Sequence, residues 1–183
     1  MKASIFSFAL FVAFTKAFPS ARPANIEVRD GLPAGCCDPG LAVGFLRAYQ
    51  PTYVDHFYTT DVSEMNNAIT NLGYNSEGVA ANVFPNQGPS TIPLYRMYNP
   101  QVIDHLYTTS YPEVQNAAAN GYNYEEIAAY VYDTNICGSI ALYRLYSSAG
   151  TDHFYTTSAS EANNAVAQLG YTMEGVAGYV LPA

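Results

Sequence analysis

The phrase Asp-His-x-Tyr-Thr-Thr decides the architecture of this chain, because it occurs three times at nearly constant spacing. The copies read Asp55-His56-Phe57-Tyr58-Thr59-Thr60, Asp104-His105-Leu106-Tyr107-Thr108-Thr109 and Asp152-His153-Phe154-Tyr155-Thr156-Thr157. These hold the only 3 histidines among 183 residues, and an arginine precedes each by the same interval: Arg47, Arg96 and Arg144. Rare residues in such a register indicate three copies of one structural unit.

Each copy contains the signals for two strands, a helix and a third strand. Alternation predicts an opening strand such as 94–98, and the His-x-Tyr-x-Thr phrase predicts a second strand that returns as a hairpin. A helix-capping pattern follows, and Gly73, Gly121 or Gly170 ends the helix. Helical spacing predicts that the helices bury an apolar face, formed in the first copy by Met65, Ala68, Ile69 and Leu72 and in the third by Ala162, Ala165, Val166 and Leu169. A last segment that begins at a tyrosine predicts the third strand. The fold class is therefore α+β, with three β-β-α-β units.

Three equal units predict a closed, pseudo-threefold, β-rich assembly with three outer helices. One unit alone cannot bury both its strand face and its helix face, so each unit needs its neighbours. An open row of units is the alternative, and it would leave sheet edges exposed. The units span about 45–84, 94–132 and 142–180, within a single domain at 42–183.

Residues 1–17 are predicted to be a signal peptide. Lys2 provides the positive charge, residues 3–14 form an apolar run, and Ala17 offers a small residue for cleavage. The run is shorter than the roughly 20 residues that span a bilayer, so we expect a secreted protein rather than a membrane-anchored one. Residues 18–41, which are rich in proline and glycine, are predicted to form an extended arm.

The chain is acidic, with 15 Asp and Glu against 7 Lys and Arg and a formal net charge of −8. Two of the basic residues, Lys2 and Lys16, belong to the predicted signal peptide. Because nucleic acids and anionic membranes are bound by clustered Lys and Arg, neither is an expected partner.

Three cysteines are present, Cys36, Cys37 and Cys137. In a secreted chain a disulfide is the default, and Cys137 pairs with Cys36 or Cys37 because adjacent cysteines rarely bridge each other. Such a bond closes a loop of about 100 residues, for which the chain-entropy model gives about 4–5 kcal/mol. The remaining thiol is either free or links two chains into a disulfide-bonded dimer.

Four motifs follow one another in order: Tyr-Arg-x-Tyr, Asp-His-Phe-Tyr-Thr-Thr-Ser, Gly-Tyr and Glu-Gly-Val-Ala. In this respect the chain resembles a secreted, tyrosine-rich repeat family of unknown function, with the motifs YR, HFYTTS, GW and EGIAFY. Members occur in fungal secreted proteins and as accessory domains of bacterial cell-wall and glycan hydrolases. This chain has Tyr74, Tyr122 and Tyr171 where the family has Trp, and Glu126 where it has glycine. The resemblance implies an accessory, glycan-associated module rather than an enzyme.

The recurring Arg, Asp, His and Tyr are candidate ligand-binding residues, because an aromatic face beside planar polar groups is typical of sugar sites. They are Arg47, Asp55, His56, Tyr58, Arg96, Asp104, His105, Tyr107, Arg144, Asp152, His153 and Tyr155. The structural alternative is that each arginine pairs with an acidic residue of its own third strand, Glu77, Glu125 or Glu174. The helix residues Glu64, Glu113 and Glu161 are not assigned to a site, since the capping pattern explains them.

No catalytic residue, metal ligand or cofactor is assigned. Three histidines that converge on an axis would form a tridentate metal site, but a bond from each His to the neighbouring Asp or to backbone of its own unit is the simpler interpretation. Threefold repetition of every acid argues against one asymmetric active site. The first hypothesis is a secreted, non-enzymatic module that binds carbohydrate or cell-wall glycan through three related sites. A structural or protein-interaction scaffold is the second, and a hydrolase that uses the repeated His and Asp is the third.

Overall fold

The computed structural model describes residues 34–183. The predicted signal peptide at 1–17 and most of the predicted arm at 18–41 lie outside the described residues. The described end of the arm holds Cys36, Cys37 and a short 3₁₀ turn at Pro39–Leu41, which Asp38 caps by accepting a hydrogen bond from the Gly40 amide. Among residues 34–183, no helix is both long enough and apolar enough to cross a membrane.

The described residues form a sheet-rich fold that mixes nine strands with three α-helices, in three consecutive β-β-α-β segments. The first segment contains β1 Val43–Gln50, β2 Asp55–Thr59, α1 Val62–Asn71 and β3 Asn75–Val83. The second contains β4 Thr91–Asn99, β5 Asp104–Thr108, α2 Tyr111–Ala119 and β6 Asn123–Tyr132. The third contains β7 Ile140–Ser147, β8 Asp152–Thr156, α3 Ala159–Gln168 and β9 Thr172–Val180.

The opening strand of each segment lies between the other two strands of that segment. The first sheet has the order β2-β1-β3, and the second and third segments join into a six-stranded sheet with the order β5-β4-β6-β9-β7-β8. In the first hairpin Arg47 lies opposite Tyr58, and Tyr49 lies opposite His56. The other two hairpins repeat this antiparallel register, so the predicted hairpins are confirmed.

The segments contact one another through two sets of strands. The second strands β2, β5 and β8 contact each other pairwise around the interior. The ends of the third strands also meet, through bridges between Phe84 and Tyr130, between Asn82 and Leu181, and between Tyr132 and Tyr179. The buried core between these strands takes side chains from every segment, among them Phe45, Tyr58, Leu94, Tyr107, Val131, Leu142, Tyr155 and Val180.

The helices begin and end where the sequence pattern predicts. Asp61, Ser110 and Ser158 cap the three N-termini by accepting backbone N–H bonds, and the glycines that follow the C-caps have positive φ, such as 76° at Gly73. The predicted apolar faces are only partly correct. Met65 and Ala68 are buried under α1, but Leu72 and its counterpart Leu169 are 55% and 62% exposed, and Val166 of α3 is 44% exposed. These two leucines lie past the last helical turn and therefore point away from the core.

The disulfide joins Cys36 to Cys137, which excludes the alternative with Cys37. It ties the end of the arm to the linker between the second and third segments. The thiol of Cys37 is free and 5% exposed, and it donates to the carbonyl of Pro89. Burial raises the pKa of this thiol, which makes it a poor nucleophile. A disulfide from Cys37 to a second chain would therefore require this region to open first.

Candidate functional site

The tyrosines of the repeated phrase form a closed ring of hydrogen bonds in the core. Each hydroxyl donates to the backbone carbonyl of one neighbouring tyrosine and accepts from the backbone N–H of that same residue. The hydroxyl of Tyr58 bonds the backbone of Tyr155, that of Tyr155 bonds Tyr107, and that of Tyr107 bonds Tyr58. The three side chains are at most 1% exposed. Burial raises the pKa of each phenol well above its usual range. These groups are therefore neutral and fully bonded.

The three aspartates of the phrase form a second buried group. One carboxylate oxygen of Asp55 accepts the backbone N–H of His105 at 3.0 Å, and the other contacts the His105 ring nitrogen Nδ1 at 2.8 Å and the Tyr74 hydroxyl. Asp104 and Asp152 repeat these contacts with His153 and His56, and with Tyr122 and Tyr171. Each histidine is thus bonded to an aspartate of the preceding segment. The expectation that it bonds within its own unit is corrected.

The aspartate group is also the one place in residues 34–183 where three potential metal-ligand residues come within 4.8 Å of one another. Its carboxylates are 0% exposed, and three of the roughly four lone-pair positions on each already accept donors. We therefore assign this group a role in holding the segments together. The histidines do not converge on a shared point, which corrects the tridentate alternative.

A strained backbone position precedes each of these aspartates. Val54, Ile103 and Thr151 have φ values of 57°, 55° and 54°. This left-handed conformation is unfavourable for β-branched residues, and such strain is retained only where the surrounding structure enforces it. In the first two turns the strained residue also closes a backbone hydrogen bond, to Gln50 and to Asn99. The turn directs the following aspartate into the interior.

Each histidine connects the buried aspartates to the surface. Its aspartate partner also accepts from a tyrosine hydroxyl and a backbone N–H. Because an ionised carboxylate has no proton to donate, we assign the donor hydrogen of this contact to Nδ1. The other nitrogen, Nε2, has no hydrogen-bond partner among residues 34–183. It lies 3.9, 4.0 and 3.8 Å from the nearest oxygen of Glu77, Glu125 and Glu174 in the three segments. A tyrosine ring packs on each imidazole, as Tyr98 does on His105 with ring centres 4.6 Å apart.

The arginines bridge neighbouring segments. Arg96 Nε lies 2.7 Å from Glu125 of its own third strand, and its two terminal nitrogens bond Glu64 of the preceding helix at 3.0 and 2.7 Å. Arg144 has the same two kinds of partner, Glu174 and Glu113. Arg47 has Glu77 and Glu161, although its Nε–H, 2.9 Å from Glu77, is not directed at the carboxylate. The predicted pairs with the third strand are confirmed, and the helix glutamates are additional.

The pKa shifts of these groups agree with the bridges. Burial alone would lower the pKa of Arg47, but the hydrogen bond and charge of Glu161 outweigh it and raise the pKa. Burial alone would raise the pKa of Glu64, Glu113 and Glu161, but the arginine and threonine donors outweigh it and lower these pKa values. Both partners are therefore charged at neutral pH, and no arginine among residues 34–183 has an unpaired guanidinium.

A cleft opens at the boundary between the first and second segments, beside the Arg96 bridge. We call it the first cleft. Its cavity has a volume of about 250 Å³. Its polar lining consists of Glu64, Asn67, Arg96, His105 and Glu125, and its aromatic and apolar lining consists of Phe57, Ala68, Leu72, Tyr74 and Tyr98.

The corresponding cleft between the third and first segments, the third cleft, has a cavity of about 550 Å³ lined by residues that include Tyr49, His56, Glu77, Leu169 and Tyr171. At the boundary between the second and third segments, which we call the second cleft, the equivalent His153 and Glu174 lie 3.8 Å apart. The cavity of about 160 Å³ at this boundary is lined by Glu113, Arg144 and Glu174 but not by His153. The second cleft departs in two positions, with Leu106 in place of Phe57 or Phe154 and Asn120 in place of Leu72 or Leu169. Arg96 and Arg47 lie 5.1 and 5.3 Å from the centres of the Phe57 and Phe154 rings, whereas Arg144 faces no such ring.

The structure separates the predicted ligand residues into two groups. The arginines and histidines line the segment boundaries, whereas Tyr58, Tyr107, Tyr155 and the three aspartates lie in the interior, where a surface ligand cannot reach them. Sequence reasoning missed Glu64, Glu113 and Glu161, because the capping pattern gave them a role in their own helix. The signal that was available is the recurrence of an acid at this position in every copy, although sequence does not show which arginine each acid contacts.

Sheet, helices and boundary clefts together define a domain that presents small, acidic, partly aromatic openings. The chain belongs to the family described as a domain of unknown function (DUF5648), whose model matches residues 44–181. The prediction of an uncharacterised family is thereby confirmed. No curated protein and no solved structure matches the chain.

Proposed function

We propose that this chain is a secreted, non-enzymatic module that binds glycans through three related clefts on a pseudo-threefold scaffold. The main support for this proposal is the composition of the first cleft. Its lining combines the Tyr98 ring and the exposed Leu72 with the polar side chains Glu64, Asn67 and Glu125. An apolar or aromatic surface beside a few directed polar groups suits a sugar ring with its hydroxyls. The cavity of about 250 Å³ is smaller than the ~300–1,000 Å³ of sites for drug-sized ligands, which favours a single sugar residue.

Repetition supports binding to a polymer. Three clefts on one rigid scaffold engage neighbouring units of a repetitive polysaccharide, and linked sites raise the overall affinity even when each site is weak. The Cys36–Cys137 disulfide supports the predicted secretion, since such bonds persist in oxidising compartments. The acidic composition and the pairing of Arg47, Arg96 and Arg144 leave no basic surface in the described residues for anionic polymers.

A second candidate function is a scaffold without a small ligand. It is favoured by the six interior residues of the repeated phrase, the three tyrosines and three aspartates, whose polar groups are satisfied within the chain. The Arg-Glu bridges also hold segments together and thus explain the arginines without a ligand.

Replacing His56, His105 and His153 together by Asn separates the two candidates. The Asn amide donates to the buried aspartate from nearly the position of Nδ1, while Nε2 is removed from each cleft. We expect the variant to keep its circular dichroism spectrum and to lose at least tenfold in retention on insoluble polysaccharides.

The wild-type protein is tested in parallel on cellulose, chitin, chitosan and an anionic polysaccharide, with Tyr53→Phe as an exposed control. If none of these polymers retains the wild-type protein, the glycan proposal is contradicted and the scaffold is favoured. Equal retention of the wild type and the triple variant would remove the clefts as the binding site.

A further inference from the structure

Two hydrogen-bond acceptors, a histidine nitrogen and a carboxylate oxygen, lie side by side in the first cleft. His105 Nε2 and Glu125 Oε2 are 4.0 Å apart, and the His105 side chain is nine-tenths buried with Nε2 facing the cleft. The Asp55 carboxylate accepts hydrogen bonds and cannot donate them, so in the tautomer that satisfies its contact with Nδ1 the Nε2 lone pair faces the cleft. Two hydrogen-bond acceptors do not bond to each other. Glu125 Oε2 already accepts from Arg96 Nε at 2.7 Å, but a carboxylate oxygen has two lone pairs and can accept a second donor beside Nε2.

The separation of the two acceptors fits a donor atom and not a metal ion. A nitrogen placed about 2.9 Å from each acceptor bonds to both at ordinary hydrogen-bond length. A metal at about 2.1 Å from each would force the angle between its ligands to roughly 140°, far wider than tetrahedral geometry allows. The same gap occurs at His56 with Glu77, 3.9 Å, and at His153 with Glu174, 3.8 Å.

The charge around the gap favours a cation. Arg96 is met by three carboxylates, Glu64 at 2.7 Å, Glu125 at 2.7 Å and Glu126 at 3.2 Å, so one positive charge faces three negative ones. The side chains of Glu64 and Glu125 remain 35% and 31% exposed and line the cleft. The guanidinium is already engaged, so the cleft offers acceptors and negative charge and no free charged donor.

We propose that the clefts bind sugars that carry a primary ammonium group, with the ammonium between the His Nε2 and the Glu carboxylate of each segment. This inference rests on the proposed glycan function and names its ligand class, a 2-amino-2-deoxy sugar in a wholly or partly N-deacetylated polysaccharide. An ammonium supplies three donors and a positive charge, which the acceptor pair and its acidic surroundings complement. An N-acetylated sugar presents one amide N–H, no charge and an added bulky group. Beside the first cleft Arg96 contacts one more carboxylate, Glu126, than the other two arginines do, so we expect this cleft to bind most tightly.

The test uses three monosaccharides that differ at one carbon, glucosamine, N-acetylglucosamine and glucose. They are titrated into the purified protein at a pH where the amine is protonated, while the side-chain NMR signals of the histidines are followed. The protein has only 3 histidines, one for each cleft, so the occupancy of every cleft is observed separately. We expect glucosamine to bind at least tenfold more tightly than the other two sugars.

A Glu125→Gln variant gives the matched test, since its amide oxygen still accepts from Arg96 while the charge is lost. We expect roughly tenfold weaker glucosamine binding at His105 alone, with His56 and His153 as internal controls. An exposed Asp133→Asn variant removes one charge outside the clefts and should leave all three affinities unchanged.

Each other outcome overturns a defined part of the inference. Equal affinity for the three sugars would reject the ammonium assignment and leave glycan binding intact. Retention on no polysaccharide and a response to no sugar would reject both. Free lysine is titrated as an amine that is not a sugar. If it binds as tightly as glucosamine, the clefts bind primary amines in general, and protein side chains would replace the amino sugar as the ligand.

Discussion

The tyrosine ring in the core and the clefts at the segment boundaries use one repeated phrase in opposite ways. In the ring every donor and acceptor of Tyr58, Tyr107 and Tyr155 has a partner within the chain. In the clefts the histidine of the same phrase leaves Nε2 without a partner in the described chain, beside a carboxylate oxygen that an arginine already contacts. Repetition of a polar residue therefore does not by itself identify a ligand site, because the same phrase supplies both a fully bonded core and the Nε2 atoms on which the proposed sites depend.

The largest effect is expected on the interior side of this comparison, from Asp104→Ala. The change leaves the His153 N–H, its Nδ1–H and the Tyr122 hydroxyl without an acceptor in the interior. Breaking a buried charged network of this kind costs about 3–5 kcal/mol of unfolding free energy. Urea denaturation at neutral pH measures it. The exposed Asp133→Ala is the matched control, and a similar loss in both variants would contradict the assigned role.

A somewhat smaller effect is expected for Tyr107→Phe. The hydroxyl of Tyr107 is the partner of both the N–H and the C=O of Tyr58, so its removal leaves two buried backbone groups unbonded. The expected cost is about 2–4 kcal/mol in the same denaturation assay. Tyr53, which is 55% exposed, provides the control Tyr53→Phe with a change below about 0.5 kcal/mol. A cost for Tyr107→Phe no larger than that of the control would show that the ring does not hold the segments together.

The smallest effects are expected in the clefts, where two glutamates on the same arginine should respond to pH with opposite sign. The pKa of Glu64 is lowered in the folded chain, so its contribution to stability is present above about pH 4.5 and is lost as pH falls through the folded pKa. Burial, together with the charges of Glu64 and Glu125, raises the pKa of Glu126 in spite of Arg96. Ionisation of Glu126 therefore lowers stability as pH rises through that interval.

Unfolding free energies from pH 3 to pH 7 distinguish these two glutamates. Glu64→Gln should flatten the loss of stability below about pH 4.5, whereas Glu126→Gln should steepen it and stabilise the protein at neutral pH. Because the two variants remove the same charge from the same arginine, a parallel change in both would mean that the bridge geometry does not set the pKa values.

Much of the fold could be predicted from the sequence because its signals are local. The hairpin of β1 and β2 follows from alternation over a short stretch, and Asp61, Ser110 and Ser158 cap helices through amides two or three residues away. The pairing of Arg96 with Glu125 also joins adjacent strands of one sheet. The pattern failed at Leu72 and Leu169, where helical spacing predicted burial and the chain had already left the helix.

The contacts between segments could not be predicted in the same way. Glu64 meets Arg96, and Asp55 meets His105, across sequence separations of 32 and 50 residues. In a chain with three near-equal copies, each residue has a counterpart in its own, the next and the previous segment. Periodicity alone does not choose among these three, because the choice depends on how the sheets are placed in space.

The tyrosine ring also makes the three segments interdependent. Each hydroxyl bonds the backbone N–H and C=O of one neighbouring tyrosine, and the third tyrosine returns to the first. Removal of any one segment would therefore leave one phenol without its backbone partners and one interior strand without its hydroxyl, at the two places where that segment met its neighbours.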